Sequence, residues 1–125
     1  MVRCILSIII SVAIVTVGAI YENIFIHKTF DNFHTMLYNV EEKLQNENAT
    51  TEDIYAVQKF WLSKKRILHA FIPHTEIKEI DLWISEAIIY TKNKNYKEAE
   101  GKIEVCLELS EQIPNNFKIK FENLF

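Results

Sequence analysis

The stretch "IFIHKTFDNFHTMLYNVEEKL", residues 24–44, decides the fold of this chain. Its large apolar residues recur at alternating intervals of four and three positions, which places them on one face of a helix. They are Ile26, Phe30, Phe33, Leu37, Val40 and Leu44. This spacing is close to that of a coiled coil, so it predicts a helix whose apolar stripe packs against neighbouring helices.

An uncharged run, "CILSIIISVAIVTVGAIY", precedes this stretch and extends from Cys4 to Tyr21. At about 1.5 Å per residue it reaches about 27 Å, close to the thickness of the hydrocarbon core of a bilayer. Arg3 precedes the run, and no acidic residue occurs before Glu22. This charge pattern predicts a single membrane pass with the N-terminus in the cytoplasm and the rest of the chain outside.

The same run also has features of a cleaved signal peptide, because "VGA" (17–19) supplies small residues of the kind that signal peptidases require. It is longer than a typical signal core, however, and the helical stripe begins directly after it. We therefore predict that residues 1–21 are a transmembrane anchor or an uncleaved signal. Residues 22–125 are predicted to form an extracytoplasmic domain at the cell membrane.

The domain is predicted to be all-α, a small antiparallel bundle of about four helices that continues from the transmembrane helix. The chain contains only 2 Gly and 2 Pro, and so few helix-breaking residues favour long helices. Pro73 is expected to separate the second and third helices, and Pro114 to end the fourth. The predicted helices cover about 22–45, 51–71, 75–92 and 95–113, followed by an extended tail over 114–125.

The tail has a different pattern from the helices. Phe117, Ile119 and Phe121 alternate with lysines, a period of two that is typical of extended backbone. Phe125 makes even the terminus apolar. The tail is therefore expected to pack along the bundle or to be offered to a partner as a strand.

Charge and cysteine content exclude some classes of protein. The net charge is −3, and without Arg3 the exported part carries 13 basic and 17 acidic residues, or about −4. This balance gives no reason to expect a nucleic-acid partner and argues against adhesion to anionic lipid beyond the anchor. With Cys4 in the apolar run, Cys106 is a lone thiol, which is interpreted as a small buried hydrophobic residue.

A histidine-rich helix face is one candidate metal site. His27, Asp31 and His34 lie at i, i+4 and i+7, so one face of a helix presents all three, and imidazole and carboxylate groups suit zinc. The face adjoins the apolar stripe, where polar flanking residues are ordinary, and no fourth ligand lies nearby in the sequence. We predict no metal ion and no other cofactor here.

A second candidate is "HAFIPHTEIKEID", residues 69–81. A metal site would require His74 to turn back toward His69 across Pro73. Cations near the end of one helix and acids at the start of the next are also the ordinary distribution of charge at helix ends. The segment is therefore interpreted as a helix break, and no catalytic residue is assigned in the chain.

Two resemblances extend this interpretation. Residues 81–114 resemble a single tetratricopeptide-like helical hairpin at the positions Trp83, Ala87, Tyr90, Ala99, Ile103 and Cys106. The whole chain resembles the domain-of-unknown-function family 4363 of small bacterial membrane-anchored proteins. The similarity is carried by the apolar N-terminal segment, "FWLSKKRILHAFIPH", "EIKEID", "YTKNKNYKEAEGKIE" and the ending "ENLF". It implies a compartment and a fold class, and no activity.

The expected function is that of a non-enzymatic interaction or scaffold module, anchored in the membrane and facing the cell envelope. Its partner is expected to be another envelope protein or a second copy of the chain. Aromatic residues are the predicted contact residues: Trp61, Trp83, Tyr90, Phe117, Phe121 and Phe125. The alternative is a small ligand- or metal-sensing helical domain that uses the histidines.

Overall fold

The structure is a computed structural model that describes the backbone of residues 1–124 and the side chains of residues 1–116. Within these residues the chain is helical and has no strands, as predicted. The four helices are α1 (Val2–Gln45), α2 (Thr51–Leu68), α3 (His74–Lys92) and α4 (Tyr96–Leu124).

Helix α1 has two halves with opposite surroundings. It is 44 residues long, or about 66 Å, and carries no proline that would interrupt it. Its first half exposes almost every apolar side chain. Among the described residues, α1 alone is long and apolar enough to cross a membrane, with a mean hydropathy of 2.5 over an 18-residue window that is 0% buried. Its second half buries all six residues of the predicted apolar stripe.

Each helix of the bundle packs against two others. α1 packs against α2 and α4, and α3 also packs against α2 and α4. At its centre, the ring of Phe33 lies 5.1 Å from that of Trp61 and stacks on Phe60 at 6.3 Å. Trp61 is only 1% exposed. Burial of such side chains, at about 1.5–3 kcal/mol each, is the main term that stabilises the bundle.

The helix ends explain where the chain turns. Thr50 caps α2 by accepting a hydrogen bond from the Asp53 backbone N–H, while Asp53 Oδ2 accepts one from the Thr50 N–H at 2.9 Å. This capping box fixes the start of α2 at the predicted residue. Pro73, with φ −53° and ψ 138°, precedes α3 and enforces the predicted break.

The predicted end of the fourth helix at Pro114 was wrong, and so was the extended tail. Helix α4 passes through Pro114 and its backbone stays helical to Leu124. Ile113 and Pro114 are both buried, so packing offsets the cost of about 3 kcal/mol for a proline inside a helix.

Candidate functional site

The two histidines of the α2–α3 turn meet across Pro73. His69 ends α2 and His74 begins α3, and their Nδ1 atoms lie 3.5 Å apart, with ring centroids 5.1 Å apart. Both side chains are exposed. The turn therefore has the backward orientation of His74 that a metal site would require, although it brings together only two ligands.

A partly buried carboxylate links the two helices that flank this turn. Asp81 of α3 accepts a hydrogen bond from Trp61 Nε1 at 2.7 Å and pairs with Lys65 Nζ at 2.5 Å. Both donors lie on α2, so one carboxylate joins the two helices. Asp81 is thus a structural group and does not belong to an acidic site.

The predicted histidine face of α1 lines a surface cleft of about 320 Å³. His27, Asp31 and His34 lie on one side of it, and the opposite side comes from α4. Glu111 Oε1 lies 3.1 Å from His34 Nε2. No local sequence pattern indicates Glu111, because it lies 77 positions away from His34.

Metal-ligand geometry is not formed in this cleft. Among the described residues, the three groups whose ligand atoms lie within 4.8 Å of one another are Glu41, Glu100 and Glu104. Burial raises the pKa of the Glu41 carboxyl, and its hydrogen bond with Glu104 and the neighbouring negative charges raise it further. These acids come from α1 and α4, so no sequence motif could have grouped them.

The thiol of Cys106 is buried, as the sequence predicted. Burial raises the pKa of this thiol to about 12. The reactive form of cysteine is the thiolate, so at neutral pH Cys106 is a packing residue and not a nucleophile.

The aromatic residues that were predicted to contact a partner differ in their burial. Trp61 lies in the core instead of on an interaction surface. Trp83 and Tyr90 are half-buried, and the Lys102 ammonium lies 4.9 Å and 5.8 Å from their ring centroids. Lys102 also pairs with Glu86 at 3.4 Å, so these two rings are partly covered by their own chain. The side chains of Phe117 and Phe121, and the whole of Phe125, lie outside the described residues.

A surface that sequence reasoning missed lies between α2 and α3. Each helix carries two exposed large apolar residues seven positions apart, Tyr55 and Leu62 on α2, Leu82 and Ile89 on α3. All four are about half exposed, at 49–57%. A spacing of seven places each pair on one helix face.

A small cleft lies between the two helices, and Leu62 is the one of these four residues that lines it. Gln58 lies between Tyr55 and Leu62 on the same face of α2, and Ser85 lies between the α3 pair at i+3. Gln58, Leu62 and Ser85 line one cleft of about 150 Å³, whose floor includes Trp61, Asp81 and Ile84. We call this surface the α2–α3 groove, defined by Tyr55, Gln58, Leu62, Leu82, Ser85 and Ile89. Its polar members interrupt the apolar pattern, which is why the sequence did not reveal it.

Comparison with known proteins identifies the family. The family model described as "Domain of unknown function (DUF4363)" matches residues 20–124, and the chain belongs to this family. The match covers the whole helical bundle and only the last residues of the apolar run. No curated protein and no solved structure matches the chain at a significant level.

Proposed function

We propose that this protein is a single-pass, membrane-anchored helical module that binds another helix of the bacterial cell envelope in the α2–α3 groove, without catalysis. The observation that carries the proposal is that α2 and α3 each expose two large apolar residues on one helix face, beside a cleft between the helices that Leu62 lines. Grooves of this kind recognise an amphipathic helix through apolar residues spaced at i, i+3 or i+4, and i+7.

The anchor supports the membrane part of the proposal. The apolar half of α1 has no protein partner within the described residues, and a bilayer would cover it. Arg3 before the apolar run and the lack of an acid before Glu22 favour a cytoplasmic N-terminus and an extracytoplasmic bundle.

The continuity of α1 gives the groove a fixed position. The first core residue, Ile26, follows Tyr21 by five positions in the same unbroken helix, and no flexible linker separates them. The groove is therefore held at a constant height above the membrane.

Photo-crosslinking in intact membranes tests the groove. A benzophenone amino acid replaces Ser85 in the groove or, as the control, exposed Glu108 on α4. The expected result is a discrete crosslinked product from position 85 and none from 108, identified by mass spectrometry as an envelope protein or as a second copy. Leu62→Glu should abolish the product, whereas Tyr38→Glu, a charge placed at an exposed aromatic of α1, should leave it. Equal crosslinking at both positions, or none at position 85, would contradict the proposal.

Metal sensing is a second candidate, favoured by the His69–His74 pair. Two imidazole nitrogens bound to one tetrahedral zinc ion lie about 3.4 Å apart, since each Zn–N bond is about 2.0–2.1 Å. The observed separation is 3.5 Å. Native mass spectrometry of the full chain with zinc, compared with His69→Gln, decides this. If the parent chain binds one zinc ion and the variant binds none, the result supports the site. Equal zinc binding by both proteins would rule out the His69–His74 site.

A further inference from the structure

We propose that the α2–α3 turn, residues 64–74, docks on the anionic phospholipid headgroups beside the anchor. This inference rests on the proposed membrane anchoring of α1. It assigns to the membrane-facing end of the bundle a second lipid contact, separate from the hydrophobic span.

The height of the turn follows from two contacts at opposite ends of α2. Lys43 of α1 pairs with Asp53 near the start of α2 at 2.9 Å. Near the end of α2, Lys64 Nζ lies 5.9 Å from the ring centroid of Phe25. α2 therefore runs antiparallel to α1, and it ends beside the point where α1 enters the apolar run.

The distances along the helices place the turn within the headgroup layer. Phe25 is four residues beyond Tyr21, the last residue of the uncharged run, which is about 6 Å along the helix. Leu68, the last residue of α2, lies four residues beyond Lys64 in the opposite direction, again about 6 Å. The end of α2 is thus level with Tyr21. The interfacial layer of a bilayer is about 5–8 Å deep on each side, so the turn lies in it.

The composition of the turn matches a phosphate-rich surface. Residues 64–74 contain Lys64, Lys65, Arg66 and two histidines, and no acidic residue. Lys65 is already paired with Asp81, whereas Arg66 is exposed. Ile67 is 50% exposed next to Arg66. A cation beside an exposed aliphatic residue is suited to the boundary between headgroups and acyl chains.

Acidic neighbours reduce this charge without cancelling it. Glu76 and Glu79 follow on the first turns of α3, and Lys78 lies between them. On α1, Glu22 and Lys28 offset each other at this end. With Asp81, the partner of Lys65, included, the span 64–81 contains four cations and three acids, so it carries a net charge of +1.

The sequence prediction against lipid adhesion relied on the charge of the whole domain, about −4. The structure separates that charge in space. The other basic turn, with Lys92, Lys94 and Lys97, lies at the opposite end of α3, which is 19 residues or about 28 Å long. Attraction to anionic lipid decays over a Debye length of about 8–10 Å, so the near turn senses the membrane and the far turn does not.

Hydrogen exchange of the full chain in lipid nanodiscs tests this inference. Nanodiscs of phosphatidylcholine alone are compared with nanodiscs that also contain phosphatidylglycerol. We expect backbone amides of residues 66–76 to exchange more slowly in the anionic discs, with each cation contributing about a fivefold slowing. Arg66→Gln should reduce the slowing by about fivefold, whereas the matched Lys92→Gln should leave it unchanged.

Equal exchange in the two lipid compositions, or an equal effect of the two substitutions, would overturn the inference. Retention of the chain in the phosphatidylcholine discs reports separately on the anchor. A chain that leaves both kinds of disc would contradict the proposed anchoring, whereas a chain that stays in both with no lipid-dependent protection would contradict only the headgroup contact. Melting of Arg66→Gln in detergent, expected to match that of the parent chain, excludes misfolding as the cause.

Discussion

The indole Nε1 of Trp61 donates a 2.7 Å hydrogen bond to Asp81 Oδ1, which joins the largest core side chain to a carboxylate on the next helix. Lys65 pairs with the second oxygen of the same carboxylate. Trp61 and Asp81 also border the cleft of the α2–α3 groove. The hydrogen bond therefore satisfies a polar atom in the core and sets the spacing of the helices that form the groove.

Asp81→Ala should destabilise the bundle by about 2–3 kcal/mol, because it leaves the Trp61 N–H without an acceptor and Lys65 without its partner. Asp81→Asn should cost less, since an amide oxygen still accepts from the indole. Guanidinium unfolding of the full chain in detergent micelles, followed by tryptophan fluorescence, measures both. Equal losses for Ala and Asn would show that the indole hydrogen bond contributes nothing.

Lys94→Gly should stabilise the protein by about 0.5–1 kcal/mol. Lys94 has a φ of 58°, in the left-handed region that glycine adopts without steric cost. The Asn95 N–H donates to Tyr90 O at 2.8 Å, which fixes this conformation at the end of α3. Lys94→Ala is the control, because it removes the same charge but keeps the strain. A melting temperature that rises equally in both variants would attribute the gain to charge.

Glu41→Gln should raise stability at neutral pH by a few tenths of a kcal/mol. The pKa of Glu41 is raised above its ordinary 4.5, first by burial and then by Glu104, so the folded state holds the proton more tightly than the unfolded state. Stability of the parent chain should therefore fall as the pH rises from about 4.5 through the folded pKa. The extra stability of Glu41→Gln over the parent chain should therefore become smaller as the pH falls below that range. Thermal melts from pH 4 to 8 measure this, with Glu42→Gln at the neighbouring exposed position as the matched substitution.

Cys106 should resist alkylation in the folded protein. A pKa raised from 9.0 to about 12 lowers the thiolate fraction about a thousandfold at a given pH. In a Cys4→Ser background, iodoacetamide labelling at pH 8 should be at least that much slower in micelles than in guanidinium. Comparable rates in the two conditions would mean that the α4 face of the core opens readily.

The helices and their core residues could be predicted from the sequence where local signals agree. The six stripe residues of α1 are all buried, and Thr50 and Pro73 mark the helix boundaries as predicted. These features depend on residues within one or two turns of each other. Pro114 shows the limit, because there the local preference for a helix end was overcome by the burial of its ring and of Ile113.

The candidate sites were harder to predict from the sequence. The approach of His74 to His69 depends on the backbone path across Pro73, which the residue types alone do not determine. The acid opposite His34 and the acids around Glu41 come from α4, which lies far from α1 in the sequence.

By itself, the sequence determined that this chain is helical, that it has an apolar segment long enough to span a membrane, and that it belongs to the family of unknown function that matches residues 20–124. The period of the apolar residues and the placement of prolines and caps carry that information, since they act over short distances along the chain. Only the tertiary structure decided that Asp81 accepts a hydrogen bond from Trp61, that a cleft lies between α2 and α3, and that one basic turn lies beside the end of the apolar run of α1. Each of these depends on how separate helices are rotated and ordered around a shared core, and that arrangement is fixed by the packing of the whole bundle.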